Sequence, residues 1–137
     1  MDPDAPAPVS APRKGPRILV VSPNRSHLAL LARRLGEEGY RIVAAESGAK
    51  ALTELGRTGA DLVLSELVME PMSGTDLTRA IRGEAAWRDL PIMLISGRSE
   101  PNGAVRAYEA GADDVILKPF HFEVLAAKID RRLTSAR

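Results

Sequence analysis

Asp61-Leu62-Val63-Leu64-Ser65-Glu66-Leu67-Val68-Met69-Glu70-Pro71-Met72-Ser73-Gly74 is a strand-length aliphatic run that ends in a carboxylate and passes into a loop containing proline and glycine. Its core, Leu62–Leu64, is wholly apolar instead of alternating, which is the pattern of a strand buried on both faces. Ser73 followed three residues later by Asp76 has the form of a capping box, so a helix is expected to begin there. A buried strand leading directly into a helix is the repeating unit of a parallel sheet covered on both sides.

The same unit recurs along the chain. Aliphatic runs at Ile18–Val21, Ile42–Ala45, Ile92–Ile95 and Val115–Leu117 read as four more strands buried on both faces. Between them, Leu28, Leu31 and Leu35 form an apolar stripe at helical spacing, as do Leu52 with Leu55, Leu77 with Ile81, and Phe122, Leu125, Ile129 and Leu133. Gly39 and Gly111 stand where left-handed helix caps are expected, and Pro91 stands at a strand start, where its missing N–H costs least. Right-handed crossovers then give one doubly wound (βα)5 domain with a five-stranded parallel sheet. It spans residues 17–134, after a disordered Pro-rich tail at 1–16 and before a short tail at 135–137. The tail at 1–16 holds five of the ten prolines. The pattern ends with the fifth helix, so no effector segment is expected beyond it.

Composition excludes several classes of function. At 137 residues the chain is one domain, and its net charge of +1 gives no basic surface for nucleic acid. No apolar run approaches the length of a membrane span, and Met1-Asp2-Pro3-Asp4 is no signal peptide. The absence of cysteine removes disulfides and thiolate chemistry and fits a cytoplasmic protein. No glycine-rich phosphate loop or Ser/His/Asp set is present, so a small α/β enzyme or nucleotide binder lacks support and no catalytic residues are assigned.

In an open parallel sheet the ligand site lies beyond the carboxyl ends of the strands. Four loops meet there. They carry Ser22-Pro23, Glu66 to Gly74, Ser96-Gly97, and Leu117-Lys118-Pro119-Phe120 preceded by Ala110-Gly111-Ala112-Asp113-Asp114. In order and spacing these loops resemble those of bacterial response-regulator receiver domains, of the chemotaxis-regulator kind, over residues 17–134. The resemblance implies a flavodoxin-like receiver fold, a cis bond before Pro119, and a pocket in two-component signal transduction. In that pocket two acidic residues and an acceptor aspartate hold Mg²⁺, because phosphoryl group and attacking carboxylate are both anionic.

Carried over position by position, the hydroxyl is Ser96, the lysine is Lys118 and the loop glycine is Gly74. The acidic pair is replaced by Ser22 and Pro23, and the acceptor by Glu66, longer by about 1.5 Å of C–C bond. The family's loop proline is displaced, with Glu70 in its place and Pro71 next. Glu66 against Lys118 is close to neutral with no metal, so neither metal nor cofactor is expected. Glu66 is expected to pair with Lys118, accept a hydrogen bond from Ser96 and imitate the phosphorylated state. The chain then reads as a degenerate receiver, a phosphorylation-independent interaction module and no enzyme. The alternative is a Mg²⁺-dependent, phosphoryl-accepting receiver in a phosphorelay with a non-standard site.

Where receivers carry a switch aromatic on the fifth strand, this chain has Val115, which leaves no ring to report the state of the pocket. Arg106, Tyr108, Asp113, Asp114 and Lys128 resemble the positions that some receivers use at the face formed by helix four, strand five and helix five. That face is expected to take a protein partner (a histidine kinase, phosphorelay or effector protein) or a second copy as a homodimer, with no nucleic-acid or membrane partner. Trp87 reads as local packing, and His27 and His121 as ordinary surface histidines.

Overall fold

A computed structural model describes residues 15–97, 100 and 102–135. Five strands form one parallel sheet: β1 (Arg17–Val21), β2 (Arg41–Ala45), β3 (Leu62–Glu66), β4 (Ile92–Ser96) and β5 (Asp114–Leu117). The helices are α1 (Arg25–Glu37), α2 (Gly48–Thr58), α3 (Gly74–Arg82), α4 (Gly103–Ala110) and α5 (Phe122–Ser135), with a 3-10 turn at Ala85–Trp87. Strand order β2-β1-β3-β4-β5 is the flavodoxin-like doubly wound order, with its reversal between β1 and β3.

Two apolar layers hold the sheet between its helices. On one face Ile18, Val20, Leu62, Leu64, Met93 and Ile95 pack under the stripes Leu28-Leu31-Leu35 of α1 and Leu125-Ile129-Leu133 of α5. On the other, Leu19, Val21, Val63, Ile92 and Leu94 pack under Ala51 and Leu55 of α2, Leu77 and Ile81 of α3, and Ala107 of α4. Alternate residues of one strand thus feed opposite layers, which is why the central strands read as unbroken aliphatic runs.

Strands β3 and β4 are buried at every residue, while β2 exposes Ala44 and β5 exposes Leu117. The expectation that all five strands are buried on both faces is corrected for these two, because they are the edges of the sheet and lack a neighbour on one side. The domain also starts earlier than Arg17, since Arg41 donates from its backbone to the Pro16 carbonyl and from Nε to the Gly15 carbonyl. The rest of the N-terminal tail, residues 1–14, lies outside the described residues. At the other end Ser135 belongs to α5, and residues 136–137 lie outside the described ones.

Local signals act as their chemistry requires. Gly39 and Gly111 close α1 and α4 at φ 101° and 113°, a region that L side chains rarely enter. Ser73 caps α3 through the Asp76 N–H, and the Asp76 carboxylate returns a bond to the Ser73 N–H, completing the capping box.

Candidate functional site

The ladder runs one residue past several strand ends, and these extra bonds fix the site. Ser22 N–H donates to Ala45 O, Leu67 N–H to Ile95 O and Lys118 N–H to Ser96 O. Glu66 opposes Ile95, and Ser96 opposes Leu117, so the functional side chains emerge at one end of the sheet. Gly74 lets the loop after β3 close tightly. A Cβ there would collide with the Glu66 carbonyl oxygen and crowd the Leu67 Cα, while the Gly74 N–H donates to Leu67 O.

Glu66 is 6% exposed, and its carboxylate is held from two sides. Lys118 Nζ lies 2.9 Å from Oε1 and His27 Nδ1 lies 2.7 Å from Oε2. The His27 contact is close, and among the described residues Oε2 is buried with no hydrogen-bond partner. The contact sets the edge of the imidazole against Oε2. His27 is placed by its own helix start: its backbone N–H donates to the Asn24 side chain that caps α1.

Two expectations are corrected here. His27 is no ordinary surface histidine but the second partner of Glu66; the cap at Asn24, three residues earlier, was the signal that put it over the strand ends. Ser96 does not donate to Glu66. Its buried hydroxyl turns toward the start of α4, where it lies against Gly103, and among the described residues its side chain makes a single long hydrogen bond, 3.4 Å to Gly97 O. His121 is exposed, as expected, and Trp87 packs on the apolar layer beside α3.

Ser22 is fully buried, with its hydroxyl turned to the Asn24 backbone, and Pro23 is exposed. Among the described residues no three His, Cys, Asp or Glu side chains converge as a metal site. Glu70 is exposed on the loop, its bond to Pro71 is cis, and the bond from Lys118 to Pro119 is cis as the resemblance implies. The donor set does not fit Mg²⁺: hard oxygen ligands are required, and the one carboxylate buried among the described residues already faces a lysine and a histidine.

The five residues grouped at the helix-four face separate into different roles. Asp113 belongs to an internal network in which it accepts from Arg82 at 2.9 Å and from the Ile92 N–H at 2.8 Å. Arg82 also donates to Gly111 O and Leu90 O, tying α3 to the turns that enter β4 and β5. Asp114 pairs with Lys128 at 3.5 Å and lies 3.5 Å from the Tyr108 hydroxyl, while Arg106 pairs with Glu100. Val115 is half-buried against the layer under α4.

A family model described as "Response regulator receiver domain" matches residues 18–130. The chain belongs to the response-regulator receiver family. The transcriptional regulatory protein KdpE of Mycobacterium tuberculosis is 33% identical over 122 residues, covering 87% of this chain and 53% of that protein. The sensory transduction protein RegX3 of Mycolicibacterium smegmatis is 34% identical over 112 residues, covering 82% of this chain and 48% of that one. The receiver therefore spans about half the length of the curated relatives it matches. Among solved structures, the receiver domain of a signal transduction histidine kinase from Syntrophus aciditrophicus superposes with a TM-score of 0.83 at 34% identity, covering 88% of this chain and 92% of that one. The chemotaxis regulator CheY4 of Vibrio cholerae, at 24% identity and a TM-score of 0.80, shares the fold.

Proposed function

We propose that this receiver acts in two-component signalling as a protein-interaction module without phosphotransfer, with the Glu66–Lys118 pair standing in for the phosphorylated state. The observation that carries the reading is the 2.9 Å contact from Lys118 Nζ to a carboxylate that is almost wholly buried. A lysine that would otherwise hold a transferred phosphoryl oxygen is already neutralised, and the carboxylate that would attack phosphorus is paired through Oε1 and has His27 against Oε2. With Ser22 and Pro23 in place of acids, the pocket has no cation to offset a dianionic donor.

The partners proposed are proteins: a histidine kinase, a phosphorelay component or an effector. A second copy docking through α4, β5 and α5 fits the same reading, because Val105, Tyr108, Leu117 and Val124 expose apolar surface on those three elements. The absence of an aromatic at Val115 separates such output from the rotamer switch of phosphorylated receivers.

The test is an amide NMR titration with Mg²⁺ and then with beryllofluoride, which stands in for a phosphoryl group on the acceptor. Unmoved resonances at Glu66, Ser96 and Lys118 are expected. Saturable shifts there would instead make the chain a metal-dependent phosphoryl acceptor.

A further inference from the structure

Helices α1 and α5 lie side by side on one face of the sheet, and a groove follows the seam between them. It starts at a hollow lined by Pro16, Tyr40, Asp130 and Leu133. Through Tyr40 and Asp130 it continues into a section bordered by Glu38, Glu123 and Phe122. Through Arg34 and Phe122 it opens into an apolar cleft of about 660 Å³ floored by Leu31, Pro119 and Phe120, with His27 and Lys118 at its far wall. The groove thus leads from the point where the chain enters the fold to the mouth of the Glu66–Lys118 site.

Charge changes sign along it. The entry half is acidic, with Glu38, Glu123 and Asp130 all exposed. Burial pushes the Tyr40 phenol above its usual value, and the negative potential of Asp130 and Glu38 pushes it further the same way. The far half is cationic, with Arg34 stacked 4.1 Å over the Phe122 ring and Lys118 43% exposed. The residues preceding Gly15 carry the opposite charges in the same order: Arg13 and Lys14 nearest the fold, Asp2 and Asp4 at the far end. Between them stand Pro3, Pro6, Pro8 and Pro12, and Pro-rich segments dock in grooves lined by aromatic side chains such as Tyr40, Phe122 and Phe120. Reach is ample. Fourteen polyproline-type residues span roughly 43 Å, whereas the 13 residues of α1 span roughly 20 Å.

We propose that residues 1–14 dock in the α1–α5 groove of their own chain, with Arg13 and Lys14 on its acidic half and Asp2 and Asp4 beside Arg34 and Lys118. The proposal stands whether or not Glu66 accepts phosphate.

The absence of native cysteine permits a clean test on the full chain. A nitroxide on Ala5→Cys is expected to erase the amide signals of Leu30, Phe120 and Lys118 while leaving Thr53, on α2 across the sheet, intact. Adding Asp2→Asn and Asp4→Asn to the same labelled chain is expected to restore the erased signals. Signals that survive at Leu30 and Lys118, or losses that persist in the neutralised variant, would overturn the proposal. So would losses on unlabelled, isotope-enriched chain mixed with nitroxide-bearing chain, which would assign the groove to a second copy.

Discussion

Lys118 Nζ and Glu66 Oε1 are joined at 2.9 Å across the gap between β3 and the end of β5, with the carboxylate buried and the ammonium partly in solvent. Removing the lysine alone leaves a buried charge with one remaining partner, whereas removing both charges leaves little to compensate. Lys118→Met is therefore expected to cost about 1–3 kcal/mol, and Glu66→Gln in the same chain to recover much of that loss. A urea-denaturation cycle over the four proteins should give a coupling near 1 kcal/mol, reduced from a fully buried pair because Lys118 is partly solvated. Additive losses would mean that the contact contributes nothing.

Shortening the carboxylate does not rebuild the acceptor. Glu66→Asp withdraws the oxygens from Lys118 and His27, yet Ser22 and Pro23 still provide no ligands for a cation. No labelling of Glu66→Asp by a small-molecule phosphodonor is expected with Mg²⁺ present. The combined variant Ser22→Asp, Pro23→Asp and Glu66→Asp is expected to gain Mg²⁺-dependent amide shifts around residue 66. Efficient labelling of the single variant would contradict this account of the defect.

His27 Nδ1 sits 2.7 Å from Glu66 Oε2, and lone pairs facing each other at that distance repel. A proton on Nδ1 would remove that repulsion and give the buried Oε2 a donor. Long-range nitrogen–proton correlation should find a proton on Nδ1 of His27. An unprotonated Nδ1 on His27 would remove it from the site.

The strands were legible because burial on both faces leaves an unbroken aliphatic run, and β1, β3 and β4 fulfil this fully. The edges β2 and β5 carry the same runs, but strand order comes from crossovers that no single run encodes. The Glu66–Lys118 pair was legible because Glu66 ends β3 and Lys118 follows β5, two parallel strands that end on the same side of the sheet with only β4 between them. Ser96 was not, since the direction its hydroxyl takes at the end of β4 is set by packing against Gly103 and not by its place in the sequence. Asp113 was misplaced for another reason: Arg82, its partner, lies 31 residues upstream, beyond any local pattern.

Gly74 allows α3 to begin against the end of β3. An added methyl would meet the Glu66 carbonyl oxygen, which is backbone already held in the sheet and cannot swing aside. Gly74→Ala is expected to destabilise the fold by about 1–3 kcal/mol and to shift the amides of Glu66 and Leu67. Gly36→Ala, where a Cβ meets nothing within 4 Å, is the matched control and should be neutral or stabilising. Equal stability of the two variants would mean that the loop relaxes freely and does not constrain the site.

The α3 cap gives a signed pH dependence. The Ser73 N–H, then the Ser73 hydroxyl, hold the Asp76 carboxyl below its ordinary value of 3.8, with Arg79 nearby adding to the effect. A carboxyl whose folded value is lowered adds stability above the unfolded value and loses it as pH falls through the folded one. The contribution of Asp76 is therefore complete above about pH 5 and fades below 3.8. Asp76→Asn should lower stability at pH 7, and its gap from the native protein should close as pH falls below 3.8, a difference that paired denaturation curves would read directly. Ser73→Ala removes the other half of the capping box and should cost about 1 kcal/mol at pH 7. A pH-independent gap between native chain and Asp76→Asn would show that the ionised carboxylate is not what stabilises the start of α3.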